Sequence, residues 1–264
     1  MARAPPPAAA IPALGYTRAM RIPRIHVAAG LAPGTSVLLP EQSGEHVARV
    51  LRLECGHPLI LFNGDGCEYE ARLATLAKRA VTAEVLGVRA VSREAPLALT
   101  LVQGIARGEK MDWILQKATE LGVTRLVPVV TERTEVKLDE DRAGRRLAHW
   151  QQVIASACEQ CGRNRLPQLD APQKLPTWLA QLGDTPGARL ALLPEGTQSL
   201  RALGALADGA ILVVGPEGGF SGHDEAALRQ ANFLGLRLGP RILRTETAGL
   251  AAIAALQALA GDLA

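Results

Sequence analysis

Short apolar runs broken by turn signals fill the first third of the chain, and longer alternating strand and helix patterns fill the rest. Between residues 20 and 92 the runs Ser36–Leu39, Pro58–Phe62, Glu68–Leu73 and Ala80–Val85 read as strands. Asn63-Gly64-Asp65-Gly66 is a hairpin-type turn between two of them. Closely spaced short strands of this kind predict a small β-barrel, with one short helix at Glu45–Leu53 where Val47, Val50 and Leu51 fall at helical spacing. After Ser92-Arg93-Glu94-Ala95-Pro96 the pattern changes. Strands are predicted at Leu97–Gln103, Arg125–Val130, Arg189–Leu193, Ile211–Val214 and Phe233–Leu238. A helix at Glu109–Leu121 carries Met111, Ile114, Leu115, Ala118 and Leu121 on one face, and Gly122 is placed to end it. A longer helix runs from Asp139 to Cys161, and Ser221-Gly-His-Asp224 is a capping-box pattern that starts another. Strands that alternate with helices predict an α/β unit with a mostly parallel sheet over residues 93–264.

Composition narrows the class. With 48% apolar residues the chain of 264 residues is globular, and with 3% aromatics its core rests on Leu, Val, Ile and Ala. A net charge of +3 permits an anionic partner without demanding one. Residues 1–19 are rich in Ala and Pro and read as a disordered or over-long extension; their prolines break any signal-peptide stretch. No apolar run approaches the roughly 20 residues of a membrane span, so the chain reads as cytoplasmic. Cys158-Glu-Gln-Cys161 has CxxC spacing, but Cys55 and Cys67 are too far apart to complete a four-ligand zinc site. The pair continues the helical face of Leu147, Trp150 and Ile154, so it reads as two helix cysteines, and no metal is expected.

The candidate chemistry lies in two turns that follow strands. Gly215-Pro216-Glu217-Gly218-Gly219 offers backbone groups to a ligand, and Glu217 would repel a phosphate placed there. Neither a P-loop nor a dinucleotide fingerprint is present. A nucleoside-type ligand with a cationic group therefore suits the loop better than a nucleotide phosphate, although an ordinary turn is equally compatible with it. Leu238-Gly239-Pro240-Arg241-Ile242-Leu243-Arg244-Thr245-Glu246 adds arginines suited to a phosphate or a base edge. Lys110, Trp113 and Lys117 share a helix face, while Arg163, Asn164 and Arg165 follow the long helix. Arg21, Arg24, Arg49 and Arg52 add charge in the barrel. Each alone reads as a solvated side chain; together they lean towards nucleic acid, and cations near an aromatic fit an RNA surface.

Several separated motifs, in order, carry a resemblance to a known family. Met20-Arg-Ile-Pro-Arg-Ile25, Arg107-Gly-Glu-Lys-Met111, Gln116-Lys-Ala-Thr-Glu-Leu-Gly122, Glu132-Arg133, Cys158-Glu-Gln-Cys-Gly-Arg-Asn-Arg165, Gly215–Ser221 and Leu238–Ala248 resemble the bacterial 16S rRNA uridine-N3 methyltransferase (RsmE) family of the SPOUT superfamily. The resemblance covers everything from Met20 onward. It implies a PUA-like RNA-binding barrel over 20–92 and a knotted α/β methyltransferase domain over 93–264 that binds S-adenosyl-L-methionine. The cofactor loops it implies contain Leu193, Pro194, Gly215, Glu217, Gly218, Gly219, Leu238, Gly239, Ile242, Leu243 and Thr245. Leu192-Leu193-Pro194-Glu195-Gly196 departs from the form typical of better-known members. The implied partner is 16S rRNA or the small ribosomal subunit, contacted by Arg133 together with the basic residues above. A homodimer through the knot region is also implied, with Leu250, Ile253, Leu256 and Leu259 of the last helix suited to that role or to packing within one chain. Arg244 is the candidate that orients the base and stabilises its anion, with Glu217 or Glu246 accepting its proton. A knotted methyltransferase acting elsewhere on RNA, or a non-catalytic ribosome-assembly protein, are the alternatives.

Overall fold

The computed structural model describes residues 22–77, 80–136 and 140–263. The extension read for residues 1–19, and Arg21, lie outside the described residues.

The first part is a five-stranded sheet in the order β1-β3-β4-β5-β2. Its strands are β1 (Arg24–His26), β2 (Ser36–Leu38), β3 (Pro58–Phe62), β4 (Cys67–Ala77) and β5 (Ala80–Ala90). Every pairing is antiparallel except that of β1 with β3. Burial alternates along β4 and β5, which puts Ala71, Leu73, Val81, Ala83 and Val85 inside. Ile25 of one edge strand and Val37 of the other join that same cluster, so the sheet curls around a single core as a small barrel. The helix expected at Glu45–Leu53 is instead α1 (Glu41–Glu45) continued by a π-helical turn at His46–Val50. Only Val47 of that turn is buried; Val50 and Leu51 are exposed.

The second part is a parallel seven-stranded sheet. Its strands are β6 (Leu99–Gly104), β7 (Arg125–Val130), β8 (Gln168–Leu169), β9 (Gln173–Lys174), β10 (Ala188–Leu192), β11 (Ala210–Val214) and β12 (Leu234–Leu236). The order is β12-β10-β11-β6-β7-β8, with β9 also pairing with β7. Both faces are covered, as a parallel sheet requires. Leu101, Leu126, Leu190 and Leu212 face the cluster built with α2 (Lys110–Glu120), α3 (Glu140–Cys161) and α6 (Thr245–Ala260). Val102, Val127, Ala191 and Val213 face α4 (Leu175–Gln181) and α5 (Gly222–Gln230). The short strands β8 and β9 and the helix α4 have no clear apolar period and were not expected.

Beyond β12, at the sheet edge, the chain turns back so that α6 packs on the central strands β6 and β11. Where it does so it crosses the loop that follows β10. Leu193 N donates to the Leu236 carbonyl at 3.1 Å and Gln198 N to the Gly235 carbonyl at 3.0 Å. Gly196 and Gly235 make this crossing possible, since a Cβ on Gly196 would lie 2.7 Å from the Gly235 carbonyl oxygen. This return of the chain end is the feature of the SPOUT-type knotted fold.

A charged seam joins the two parts. Glu68, 2% exposed, accepts from Arg24 and from Arg93 (2.6 Å). Arg24 also reaches Asn164 Oδ1 at 2.6 Å, and Asn164 Nδ2 donates to the Val91 carbonyl at 2.7 Å. Arg163 holds Glu94 and the carbonyls of Thr119 and Val123. Burial pushes the Glu68 carboxyl up, but bonds from Arg93 and Arg24 outweigh it and hold the group below its ordinary value. Phe62 of the barrel completes the contact by packing, fully buried, in the cluster of the second part.

Candidate active site

The C-terminal ends of the parallel strands are where an open α/β sheet usually binds its ligand, and both glycine-bearing loops lie there. The first follows β11. Its conformation is set from beneath, because a Cβ on Gly104 at the end of β6 would come within 2.5 Å of the Pro216 nitrogen. Arg133 Nη1 grips the loop from the side by donating to the Gly218 carbonyl at 3.1 Å. The capping box expected at Ser221 is present, with Ser221 and Asp224 each accepting the other's backbone N–H at 3.0 Å.

The second loop, Arg237 to Arg244, leads into α6 and is tied to the first by buried bonds. Thr245 Oγ1 donates to the Gly215 carbonyl at 2.6 Å and accepts from Gln103 Nε2 at 3.0 Å. Gln103, 1% exposed, also donates to the Gly104 carbonyl, and its Oε1 is buried with no hydrogen-bond partner. Thr245, expected among the cofactor contacts, therefore has its hydroxyl committed to pinning the loops together. Gln103 was not anticipated; its only sequence signal is an amide at the end of an otherwise apolar strand.

Carboxylates and one lysine meet above this pin. Lys110, at the start of α2, lies 3.3 Å from Glu217 Oε1 and 3.6 Å from Glu246 Oε2. Glu217 Oε1 also accepts the Arg107 N–H at 3.1 Å. Burial raises the Glu217 pKa, but the Arg107 amide, its own backbone amide and Lys110 together bring it below the ordinary carboxylate value. Glu217 is thus an ionised anchor and a weak base near neutrality. Glu246 differs: its Oε2 is buried without a hydrogen-bond partner, leaving acceptor capacity. Arg244 occupies the N-cap position of α6, where its carbonyl accepts from Thr247 and Ala248 (2.9 and 2.8 Å) and its side chain is exposed.

The other expected cofactor positions divide. Leu193 is buried against the crossing and Pro194 is exposed beside it. Leu238, Gly239 and Leu243 line a cleft of about 440 Å³ with Leu200 and Ala251, within the ~300–1,000 Å³ common for small-molecule sites. Ile242 is 86% exposed next to it. Arg201, Arg237 and Arg241 also line that cleft. An open peptide backbone, a cleft that mixes apolar side chains with arginines, and two carboxylates around one lysine suit a nucleoside that carries both charge signs.

The expected RNA contacts are only partly free. Arg24, Arg163 and Asn164 are corrected: they lie in the seam, where Glu68, Glu94 and buried carbonyls hold them, and Arg163 and Asn164 are 3% and 1% exposed. Lys110 faces the two carboxylates. Lys117 pairs with Glu120 at 2.8 Å and Arg49 with Glu45 at 3.1 Å, both at the surface. Arg52 and Arg165 are exposed, the latter against the turn at Gly66. Ile253 and Leu256 of the last helix are buried in this chain's own core, the second of the two roles expected for them, whereas Leu250 is half-buried and Leu259 remains 56% exposed. The Cys158 thiol is buried and pushed up to about 12 by desolvation, which rules out a thiolate there at neutral pH. Among the described residues no group of three side chains is placed to hold a metal ion, and no helix is long and apolar enough to cross a membrane.

Comparison with known proteins agrees with this geometry. The RNA methyltransferase domain family matches residues 93–257, and the RNA methyltransferase PUA domain family matches residues 39–86. The ribosomal RNA small subunit methyltransferase E of Buchnera aphidicola subsp. Schizaphis graminum is 31% identical over 92% of this chain and 98% of its own length. Its Bacillus subtilis namesake is also 31% identical, over 80% of this chain and 85% of its own. The crystal structure of ribosomal RNA small subunit methyltransferase E from Neisseria gonorrhoeae bound to S-adenosyl methionine superposes with a TM-score of 0.88 at 39% identity, covering 92% of this chain and 100% of that one. The chain belongs to the ribosomal RNA small subunit methyltransferase E family, with a PUA-like barrel before a SPOUT-type methyltransferase fold.

Proposed function

We propose that this protein transfers the methyl group of S-adenosylmethionine to N3 of a uridine in 16S rRNA, as a cytoplasmic enzyme acting on the small ribosomal subunit. The observation that carries the reading is the meeting of Glu217, Lys110 and Glu246 above the Thr245–Gly215 pin. This places ionisable groups where two cofactor-type loops come together. Residues 20–92 serve as the RNA-binding barrel and 93–264 as the methyltransferase domain.

When bound, S-adenosylmethionine supplies an activated methyl group, which leaves alignment and electrostatics to the protein. Leu238, Gly239 and Leu243, with Leu193 and the backbone of Gly215–Gly219, are the groups available to hold it. Glu217 keeps the first loop at a fixed height by its bond to the Arg107 amide. N3 of uracil is mostly protonated at neutral pH, so a proton must leave as attack occurs. Glu246, whose Oε2 accepts no hydrogen bond and lies 3.6 Å from the Lys110 ammonium, is the better acceptor of the two carboxylates. The exposed Arg244 guanidinium orients the base and stabilises the uridine anion. Exposed Ile242 and Leu259, rather than Ile253 and Leu256, form the contact of a homodimer through the knot region. Light scattering on the purified chain checks its mass.

Two measurements test the reading in vitro. Calorimetric titration with S-adenosylmethionine should show binding, and purified small subunits lacking the modification should gain 3-methyluridine. A chain that binds no cofactor would be a ribosome-assembly factor instead, and a different methylated nucleoside would point to another RNA position.

A further inference from the structure

We propose that the cleft between α1, α2 and α3 is a subsite for one unpaired base of the RNA strand, stacked on the Trp113 indole. This rests on the functional reading above and adds a place where the strand is held next to the reacting nucleotide. The cleft has a volume of about 390 Å³ and is lined by none of the cofactor-loop residues. Trp113 is 56% exposed, while Trp150 and Trp178 are 2% and 4% exposed. Among the described residues it is the one large aromatic left open to solvent, in a chain with only 3% aromatics. An indole in that position forfeits the burial that normally places tryptophan inside.

The surroundings of the indole suit a nucleobase. Lys117 Nζ, paired with Glu120, sits 5.9 Å from the ring centroid. The carboxylates of Glu109 and Asp112 are part of the lining, so the cleft itself is fitted to a base and not to a phosphate. Gln116 and Gln152 present amides from opposite helices, and such groups donate to and accept from a base edge. His149 Nε2 and Asp112 Oδ2, 2.7 Å apart, tie α3 to α2 across the cleft floor. Arg145, four residues before His149 on the same face of α3, is exposed and extends this face towards a phosphate. Single-stranded RNA is recognised by this combination of flat stacking surface, edge-reading polar groups and nearby positive charge.

Position argues for RNA near the target and not for an unrelated ligand. Trp113 lies three residues after Lys110, whose ammonium contacts Glu217 and Glu246, which is about 4.5 Å along the helix axis. Gln42, which also lines the cleft, belongs to α1 of the barrel. A base in this cleft therefore touches both parts of the molecule, on the turn of α2 next to the one that carries Lys110.

The test uses the full chain and its intrinsic fluorescence, in which Trp113 is the solvent-accessible emitter. A twelve-nucleotide single-stranded RNA of mixed sequence should quench the emission and shield it from acrylamide, while a twelve-base-pair RNA duplex should do so far less. Trp113→Ala should weaken binding of the single strand about 5- to 150-fold, Trp113→Phe should retain most of it, and affinity for S-adenosylmethionine should be equal in all three chains. Unchanged emission at saturating single-stranded RNA, or Trp113→Ala binding within twofold of the parent, overturns the subsite, as does equal quenching by the duplex. Failure of the functional reading is separate: the chain would then quench as described and transfer no methyl group.

Discussion

The seam between the barrel and the α/β part, and the mouth of the parallel sheet, use the same residue types for opposite purposes. In the seam Arg24, Arg93 and Arg163 meet Glu68, Glu94 and buried carbonyls, and most of their donors are satisfied. At the mouth Arg244 is exposed, Glu246 Oε2 is buried without a hydrogen bond, and the Lys110 ammonium is shared loosely between two carboxylates. The difference shows that a basic residue becomes available for chemistry through what the fold leaves unsatisfied around it. Charge count alone does not distinguish the two regions.

The comparison breaks most visibly in the seam. Arg163→Ala takes the guanidinium donors from Glu94 and the Val123 carbonyl and one of two donors from the Thr119 carbonyl, and should cost ~3–5 kcal/mol of stability. Chemical denaturation of the purified variant measures it; a loss under about 1 kcal/mol would mean that the seam is solvated. Arg244→Ala should show the reverse pattern. Methyl transfer should fall by about 10²–10³-fold, as when a single oxyanion-stabilising donor is removed, with the denaturation midpoint unchanged. Near-normal turnover would take Arg244 out of the mechanism.

Smaller effects sharpen the distinction within the mouth. Thr245→Val removes the hydroxyl that joins the two loops and leaves the Gly215 carbonyl short of a donor, at a cost of ~1–3 kcal/mol. Cofactor affinity should fall with it, which calorimetry reads directly. Glu217 gives the smallest effect and the one that depends on pH. Its pKa is depressed in the folded chain, so its contribution is present above the unfolded carboxylate value of about 4.3 and is lost as pH falls through the lower folded value. The stability difference between the parent and Glu217→Gln should therefore be constant from pH 5 to 8 and shrink below about pH 4. A difference that changes between pH 6 and 8 would mean that Glu217 titrates there and serves as a base.

Much of this was legible in the pattern of residues. The strands Pro58–Phe62 and Arg125–Val130 fall at the expected positions, and the capping box at Ser221 starts its helix as anticipated. These elements announce themselves because local periodicity and local hydrogen bonding determine them. The crossing at Gly196 and Gly235 is a contact between segments far apart in sequence, and no local pattern encodes it. The same limit explains Arg163, which follows a helix end as a surface arginine would. Only its tertiary position shows that it lies under Glu94. Gln103 was missed because a polar residue inside an apolar strand looks like an interruption until Thr245 and Gly215 are seen to meet it. The resemblance supplied the loops of the site; which of their side chains are committed and which are open came from the packing.

The most direct test of the account is nucleoside mass spectrometry of 16S rRNA from a strain that lacks this gene. The 3-methyluridine of the parent strain should disappear, return with the intact gene, and fail to return with the Arg244→Ala variant. Unchanged 3-methyluridine in the deletion strain would contradict the central claim.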